Sequence, residues 1–226
     1  MNQILYEDAD IILLRKPAGI PSQTSRLKEK DMVSILKNYR AEKQEEPYIA
    51  LIHRLDQPVE GILLAAKTKE AAAELSRQSA EHRMGKYYRV IVYNRHERPL
   101  VQGEKGTLTD YLLKNGKTNC SAVAEKGTKG AKKAQLTYEV LRADDTLAEL
   151  SIKLETGRHH QIRVQMANAG LPLAGDLKYG KAEDEFVRKA GGCIALCFVK
   201  ISFLHPNTQK KMEFEIEPEN PIFQLL

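Results

Sequence analysis

Apolar residues in this chain recur with a period of two far more often than with a helical period, and that bias restricts the fold more than any other feature. Tyr88, Val90 and Val92 alternate with Tyr87, Arg89 and Ile91, as expected for a strand with two different faces. The same alternation runs through Leu136 to Leu141, Leu150-Ile152-Leu154, Ile194 to Phe203 and Met212-Phe214-Ile216, the last with Glu213, Glu215 and Glu217 toward water. Two apolar runs, Ile11 to Leu14 and Gly61 to Lys67, read as buried strands, the first closed by the turn-forming Lys16-Pro17-Ala18-Gly19. Helical spacing is confined to three stretches: Lys28 to Gln44, Lys69 to about His82 behind a Thr68 cap, and His160 to Ala169 stopped by Gly170. Strands this numerous with so few helices exclude a long βαβ repetition. They predict an α+β fold with a mixed, largely antiparallel sheet and flanking helices.

No internal repeat or low-complexity linker interrupts the pattern, so residues 1–226 are expected to form one catalytic domain. With 42% hydrophobic and 29% charged residues the chain can bury a core, which excludes wholesale disorder. No run of eighteen or more apolar residues occurs, and Met1 to Asp10 lacks the basic and apolar parts of a signal peptide; a cytoplasmic protein without a membrane partner is expected. Cys120, Cys193 and Cys197 form no Cys-x-x-Cys pair, so they read as reduced thiols rather than a disulfide framework or a zinc site.

Charge is concentrated more than its total of +5 suggests. Between residues 105 and 133, seven lysines face only Asp110 and Glu125, a local excess of five positive charges. From Ser76 to Arg98, six basic residues face Glu81 and Glu97. Such clusters suit a polyanion, because each cation near a phosphate releases condensed counterions, although a solvated surface has the same composition.

Two constellations could carry chemistry. His53-Arg54-Leu55-Asp56 sits just before the Gly61 strand, presenting an acid on a loop beside a rigid element; a surface ion pair between Arg54 and Asp56 is the plainer alternative. Thr156-Gly157-Arg158-His159-His160-Gln161-Ile162-Arg163 reads as a strand end, a glycine turn and a helix start, able to offer N–H groups and cations to an anion. Adjacent histidines do not make the i, i+4 pair of a zinc protease, and no phosphate-binding glycine loop, dinucleotide fingerprint or nucleophile elbow is present. Neither a metal nor a nucleotide cofactor is therefore expected.

Taken together in this order, Lys16-Pro17-Ala18-Gly19, His53-Arg54-Leu55-Asp56 with Gly61-Ile62-Leu63-Leu64, Lys86-Tyr87-Tyr88, the 156–163 block, Gly175-Asp176-x-x-Tyr179-Gly180 and Leu204-His205-Pro206 closely resemble the RluA-type pseudouridine synthases. The resemblance runs from about Tyr6 to Pro218. It implies the family's fold, an antiparallel-rich sheet with flanking helices and a central RNA-binding cleft. It also implies isomerisation of uridine within ribosomal or transfer RNA: the N1–C1′ bond breaks, the base turns, and C5 bonds to C1′.

On that resemblance Asp56 is the essential carboxylate, either attacking C1′ or abstracting a ribose proton. Arg163 would pair with Asp56 and keep it ionised, with a phosphate contact as the alternative. Tyr88 would stack on the uracil and assist proton removal at C5, with simple core packing as the alternative and Tyr87 on the other strand face. Arg54 would occupy the space vacated by the flipped base, Leu196 would pack under it, and Arg158, His160 and Gln161 would bind substrate.

Val59-Glu60, Gln165 and Cys197-Phe198 depart from the family's commonest residues. None of these removes a proposed catalytic group, and Glu60 is expected to alter charge near the site. The chain reads as a compact member without the N-terminal S4 RNA-binding module of many relatives, so the basic 105–133 segment is expected to serve as an RNA-recognition loop. No obligate protein partner is evident. A non-catalytic RNA-binding protein on the same scaffold and an RNA glycosidase, which would release free uracil, are the competing classes.

Overall fold

The computed structural model describes residues 3–24, 30–95, 98–180, 193–224 and 226. Among them lie eleven strands and three α-helices: β1 (Ile4–Glu7), β2 (Ile11–Lys16), α1 (Met32–Glu42), β3 (Ala50–Leu51), β4 (Glu60–Ala66), α2 (Lys69–Ala80), β5 (Gly85–Tyr93), β6 (Lys105–Asn115), β7 (Cys120–Ala124), β8 (Lys132–Ala143), β9 (Leu147–Leu154), α3 (Gln161–Asn168), β10 (Leu196–Leu204) and β11 (Lys211–Glu215). A short 3-10 turn, Pro221–Gln224, follows. The chain divides into two compact units, one of residues 1–85 and 198–217, the other of residues 86–197 and 218–226.

In the first unit the strand order is β1-β2-β4-β10, with β11 beside β10 and β3 beside β4. β4 is buried along its whole length, which explains why Gly61 to Ala66 shows no alternation. Gly61 permits the close approach of β10: at φ 137°, a Cβ there would stand 2.5 Å from the Phe198 nitrogen and 2.7 Å from its carbonyl oxygen. α1 lays Met32 and Leu36 against Ile12, Leu14, Leu63 and Ala65.

The helix starts of this unit follow capping chemistry. Thr68 caps α2 through Ala71 N–H, as the sequence predicts. Asp31 caps α1 in a reciprocal box with Ser34. Burial alone would raise the Asp31 carboxyl, but N–H donors from Ser34 and Thr24 outweigh it and hold it below its ordinary value. The expected helix start at Lys28 lies outside the described residues, and α1 ends at Glu42.

In the second unit the order is β5-β9-β8-β6-β7, antiparallel at each pairing. Glu149 on β9 is fully buried and accepts from both Arg89 and Arg142; Arg142 also donates to the carbonyls of Phe223 and Leu226, which pins the C-terminus. α3 covers β6 and β8 by packing Val164 on Leu112 and Ala134, and Gln165 donates to Asp110 at 2.7 Å.

The basic 105–133 segment is not a loop, contrary to the sequence reading. It forms β6, β7 and the start of β8, a hairpin joined to a third strand through the Gly127–Gly130 turn. Within it residues are mostly exposed or half-buried, with only Leu112 and Ser121 buried, so the apolar periodicity that signals a strand is too faint to find it. All seven lysines are exposed.

Candidate active site

The loop carrying Asp56 is fastened on both sides by the segment after β2. Lys16, with no exposed surface, directs its ammonium to the carbonyls of Pro17 (2.8 Å), Ile20 (2.7 Å) and Gln57 (3.3 Å). Gly19 N–H donates to the Gln57 carbonyl at 2.8 Å, and Gln57 Nε2 donates back to the Gly19 carbonyl at 3.0 Å. Gly19 reaches this exchange at φ 89°, where a side chain would be strained. Ser22 clasps Leu55 at both backbone groups, donating to its carbonyl (2.7 Å) and accepting from its N–H (2.9 Å). Asp56 thus stands half-buried between two immobilised neighbours, with Val59 N–H closing the turn on its carbonyl.

His53, at the other end of the motif, accepts from Leu64 N–H of β4 at Nε2 and meets the Phe198 ring edge-on at 5.0 Å. Arg54 is exposed and has no hydrogen-bond or ion-pair partner among the described residues, so the structure does not show the Arg54–Asp56 surface pair. An open groove of about 420 Å³, lined by Val33, Lys37, Ile49, Leu51, His53 and Arg54 among others, runs beside the motif. Glu60, expected to modify the site's charge, is buried at the head of β4.

The remaining candidates belong to the second unit. Tyr88 is buried on β5 opposite Ile152, and Leu196 is buried at the start of β10. Burial pushes the ammonium of Lys86, on the same strand face as Tyr88, below its usual value. Gln161 binds the 156–163 turn together: its Oε1 accepts from Thr156 Oγ1 (2.8 Å) and Arg158 N–H (3.0 Å), and its Nε2 donates to the Gln135 carbonyl (3.1 Å). Arg158 Nε donates to the Lys133 carbonyl at 2.9 Å, so one of its donors is structural. His160 takes the left-handed conformation, φ 54°, at the N-cap of α3 and makes no side-chain cap.

Arg163 was expected to pair with Asp56. The partner described for it is Asp176, which accepts from Nε and Nη2 in a fork at 2.7 Å each, with both side chains almost fully buried. Asp176 also accepts from the N–H groups of Lys178 and Tyr179. Sequence reasoning quoted the Gly-Asp-x-x-Tyr-Gly block without giving Asp176 or Tyr179 a task; a buried guanidinium's need for a carboxylate was the usable signal.

Among the described residues one group could hold a cation: Asp8, Asp10 and His205. The ligand atoms of Asp8 and His205 are already engaged. Asp8 accepts from His205 Nε2 (2.8 Å), Tyr6 Oη and two backbone N–H groups, while His205 Nδ1 accepts from Asn207 and Thr208 N–H. This cluster closes β10 onto the β1–β2 turn.

Comparison with known proteins agrees with these features. Residues 10–168 match the family model described as RNA pseudouridylate synthase. An uncharacterized RNA pseudouridine synthase of Aquifex aeolicus is 30% identical over 226 residues, covering 95% of this chain and 68% of the relative. Ribosomal large subunit pseudouridine synthase D of Neisseria meningitidis is 29% identical, covering 99% of this chain and 60% of its own length. Among solved structures, human RNA pseudouridylate synthase domain containing 4 superposes with a TM-score of 0.77 at 18% identity, covering 99% of this chain and 91% of that one; domain containing 1 gives 0.73 at 22%, covering 96% and 84%. The architecture is the α+β pseudouridine synthase fold, with three helices and a mostly antiparallel sheet. The chain belongs to the RNA pseudouridylate synthase family and is an isomerase of that class.

Replacing Lys16 by Met would leave the carbonyls of Pro17, Ile20 and Gln57 without their buried donor. Urea unfolding of Lys16→Met is expected to show a loss of about 3 kcal/mol, in the range for breaking a buried charged network. A loss below about 0.5 kcal/mol would show that the Asp56 loop is held by other contacts.

Proposed function

We propose that this chain converts uridine to pseudouridine in ribosomal RNA, with Asp56 as the essential carboxylate. The observation that carries the assignment is the loop itself: Asp56 is half-exposed while Leu55 and Gln57 on either side are clamped by Ser22, Gly19 and the buried Lys16. A carboxylate held this way is pre-organised for attack or proton abstraction at a ribose. Relatives named for a substrate, the large-subunit synthases C and D, favour ribosomal over transfer RNA. On this reading Tyr88 contacts the uracil, Arg163 supplies the charge that keeps the reacting carboxylate ionised, Leu196 packs under the base, and Arg158, His160 and Gln161 contact the RNA.

The reaction balances without a cofactor. The N1–C1′ bond breaks and the C5–C1′ bond forms; the C5 hydrogen leaves to water and a proton is taken up at N1. The target base must leave its stack, at a cost of a few kcal/mol that is smallest in loops. Arg54, exposed and unencumbered among the described residues, is suited to fill the gap it leaves. The exposed lysines of the β6–β7–β8 hairpin provide the phosphate contacts. Among the described residues no helix is long and apolar enough to cross a membrane, in keeping with a protein that meets its RNA in the cytoplasm.

RNA carrying tritium at uracil C5 tests the reaction. Wild-type protein is expected to release tritium to water from ribosomal RNA, and Asp56→Asn to release at least a thousandfold less. Release from transfer RNA alone would move the substrate, and release from neither would remove the activity. Charge reversal of Lys129, Lys132 and Lys133 tests the hairpin: the slope of log affinity against log salt should fall by about two to three, near one unit per lost phosphate contact. An unchanged slope would place RNA recognition elsewhere.

A further inference from the structure

The hydroxyl and the ring of Tyr179 hold two different parts of the second unit. Oη accepts from Ser121 N–H on β7 at 2.7 Å and lies 2.7 Å from His160 Nδ1 at the start of α3. Its ring lies under the Arg163 guanidinium, 5.1 Å from the centroid. Arg163 is in turn forked to Asp176, three residues before Tyr179. The hairpin is drawn to the same point a second time: Ser121 Oγ is 2.9 Å from His159 Nδ1, His159 Nε2 is 3.1 Å from Asn119 Oδ1, and the two histidine rings stack at 3.8 Å.

Proton bookkeeping limits the states this network can take. Oη accepts from Ser121 N–H and can donate its own hydrogen to a His160 Nδ1 that carries no proton, or accept through its second lone pair from one that does. Burial pushes the Tyr179 phenol up; the Ser121 hydrogen bond and the Arg163 charge oppose this without reversing it, so the hydroxyl keeps its hydrogen. His159 Nε2–H donates to Asn119 in either charge state, and the Ser121 hydroxyl can turn from donor to acceptor. His159, stacked on it, and Tyr179 both face His160.

We propose that Tyr179 is a positioning residue for Arg163, one that ties the RNA-gripping hairpin to the start of α3 so that docking of RNA and placement of the catalytic cation share one support. His160 Nδ1, 2.7 Å from the Tyr179 hydroxyl, completes this tie. The proposal deepens the reading of the chain as an RNA uridine isomerase and rests on it for the meaning of docking.

The test is steady-state tritium release from ribosomal RNA by wild type, Tyr179→Phe, His160→Ala and His160→Asn. Tyr179→Phe keeps the ring beneath Arg163 and loses both hydroxyl bonds; kcat should fall about tenfold with KM within about twofold. His160→Asn keeps an acceptor near the Nδ1 position and tolerates the left-handed backbone, so it should retain more activity than His160→Ala. His160→Ala keeps neither property and should match Tyr179→Phe.

An unchanged kcat in Tyr179→Phe, a rise in KM alone, or an Asn variant as damaged as the Ala variant would overturn the proposal. A readout free of activity separates it from the reaction itself: the Arg163 Nε–H resonance, assigned by its loss in Arg163→Lys, should move in Tyr179→Phe and stay in His160→Asn. A resonance unmoved by Tyr179→Phe would overturn the proposal, whereas absence of release by wild type would count against the isomerase reading instead.

Discussion

A guanidinium almost wholly removed from water cannot stand alone, and the second unit is arranged around that constraint at Arg163. Asp176 answers it with a two-point fork, and Asp176 is itself held by the N–H groups of Lys178 and Tyr179. Removing one partner of such a buried pair typically costs about 3–5 kcal/mol, because the other charge stays behind unsolvated. The pair therefore fixes three things together: the N-terminal half of α3, the turn from Gly175 to Gly180, and, through the Tyr179 hydroxyl, the edge of the β6–β7 hairpin. Gly175, at φ 80° with the Cys193 carbonyl 2.5 Å from where a Cβ would sit, allows that turn to form.

The first unit solves a related problem with a different cation. Lys16 is buried, and main-chain carbonyls from two segments receive its ammonium. By reaching carbonyls on both, this lysine joins the segment after β2 to the Asp56 loop. The ion pairs of this unit lie elsewhere, with Lys67 against Glu7 and Glu45 and Arg40 against Glu45. Each unit thus uses one buried cation to hold a loop that carries a proposed functional side chain.

Much of this was legible in the sequence, and the exceptions have physical causes. Strands β2, β4, β5, β8, β9, β10 and β11 announce themselves because their apolar residues face a core, and α2 because Thr68 and its alanine-rich run follow capping and propensity. The hairpin strands β6 and β7 were hidden because they bury only Leu112 and Ser121, which leaves no apolar face against a core to set a period. Short β1 and β3 offer too few residues for a period to show. The motifs located the candidate residues, but the fork between Arg163 and Asp176 was not legible. Arg163 forks to Asp176, thirteen residues away, because Gly175 and the helix start bring them face to face, and no spacing rule announces such a pairing. Lys16 was recognised only as part of a turn, since nothing in Lys-Pro-Ala-Gly says that the lysine points inward.

The central claim is that the chain rearranges uridine within RNA instead of cleaving it. Digesting ribosomal RNA to nucleosides after incubation with the protein, and quantifying uridine, pseudouridine and free uracil by chromatography, tests this most directly. The account requires pseudouridine to appear mole for mole with the uridine lost, and no uracil to be freed. Free uracil at the expense of uridine would make the enzyme a glycosidase, and an unchanged nucleoside balance would leave the carefully held Asp56 loop without the reaction assigned to it.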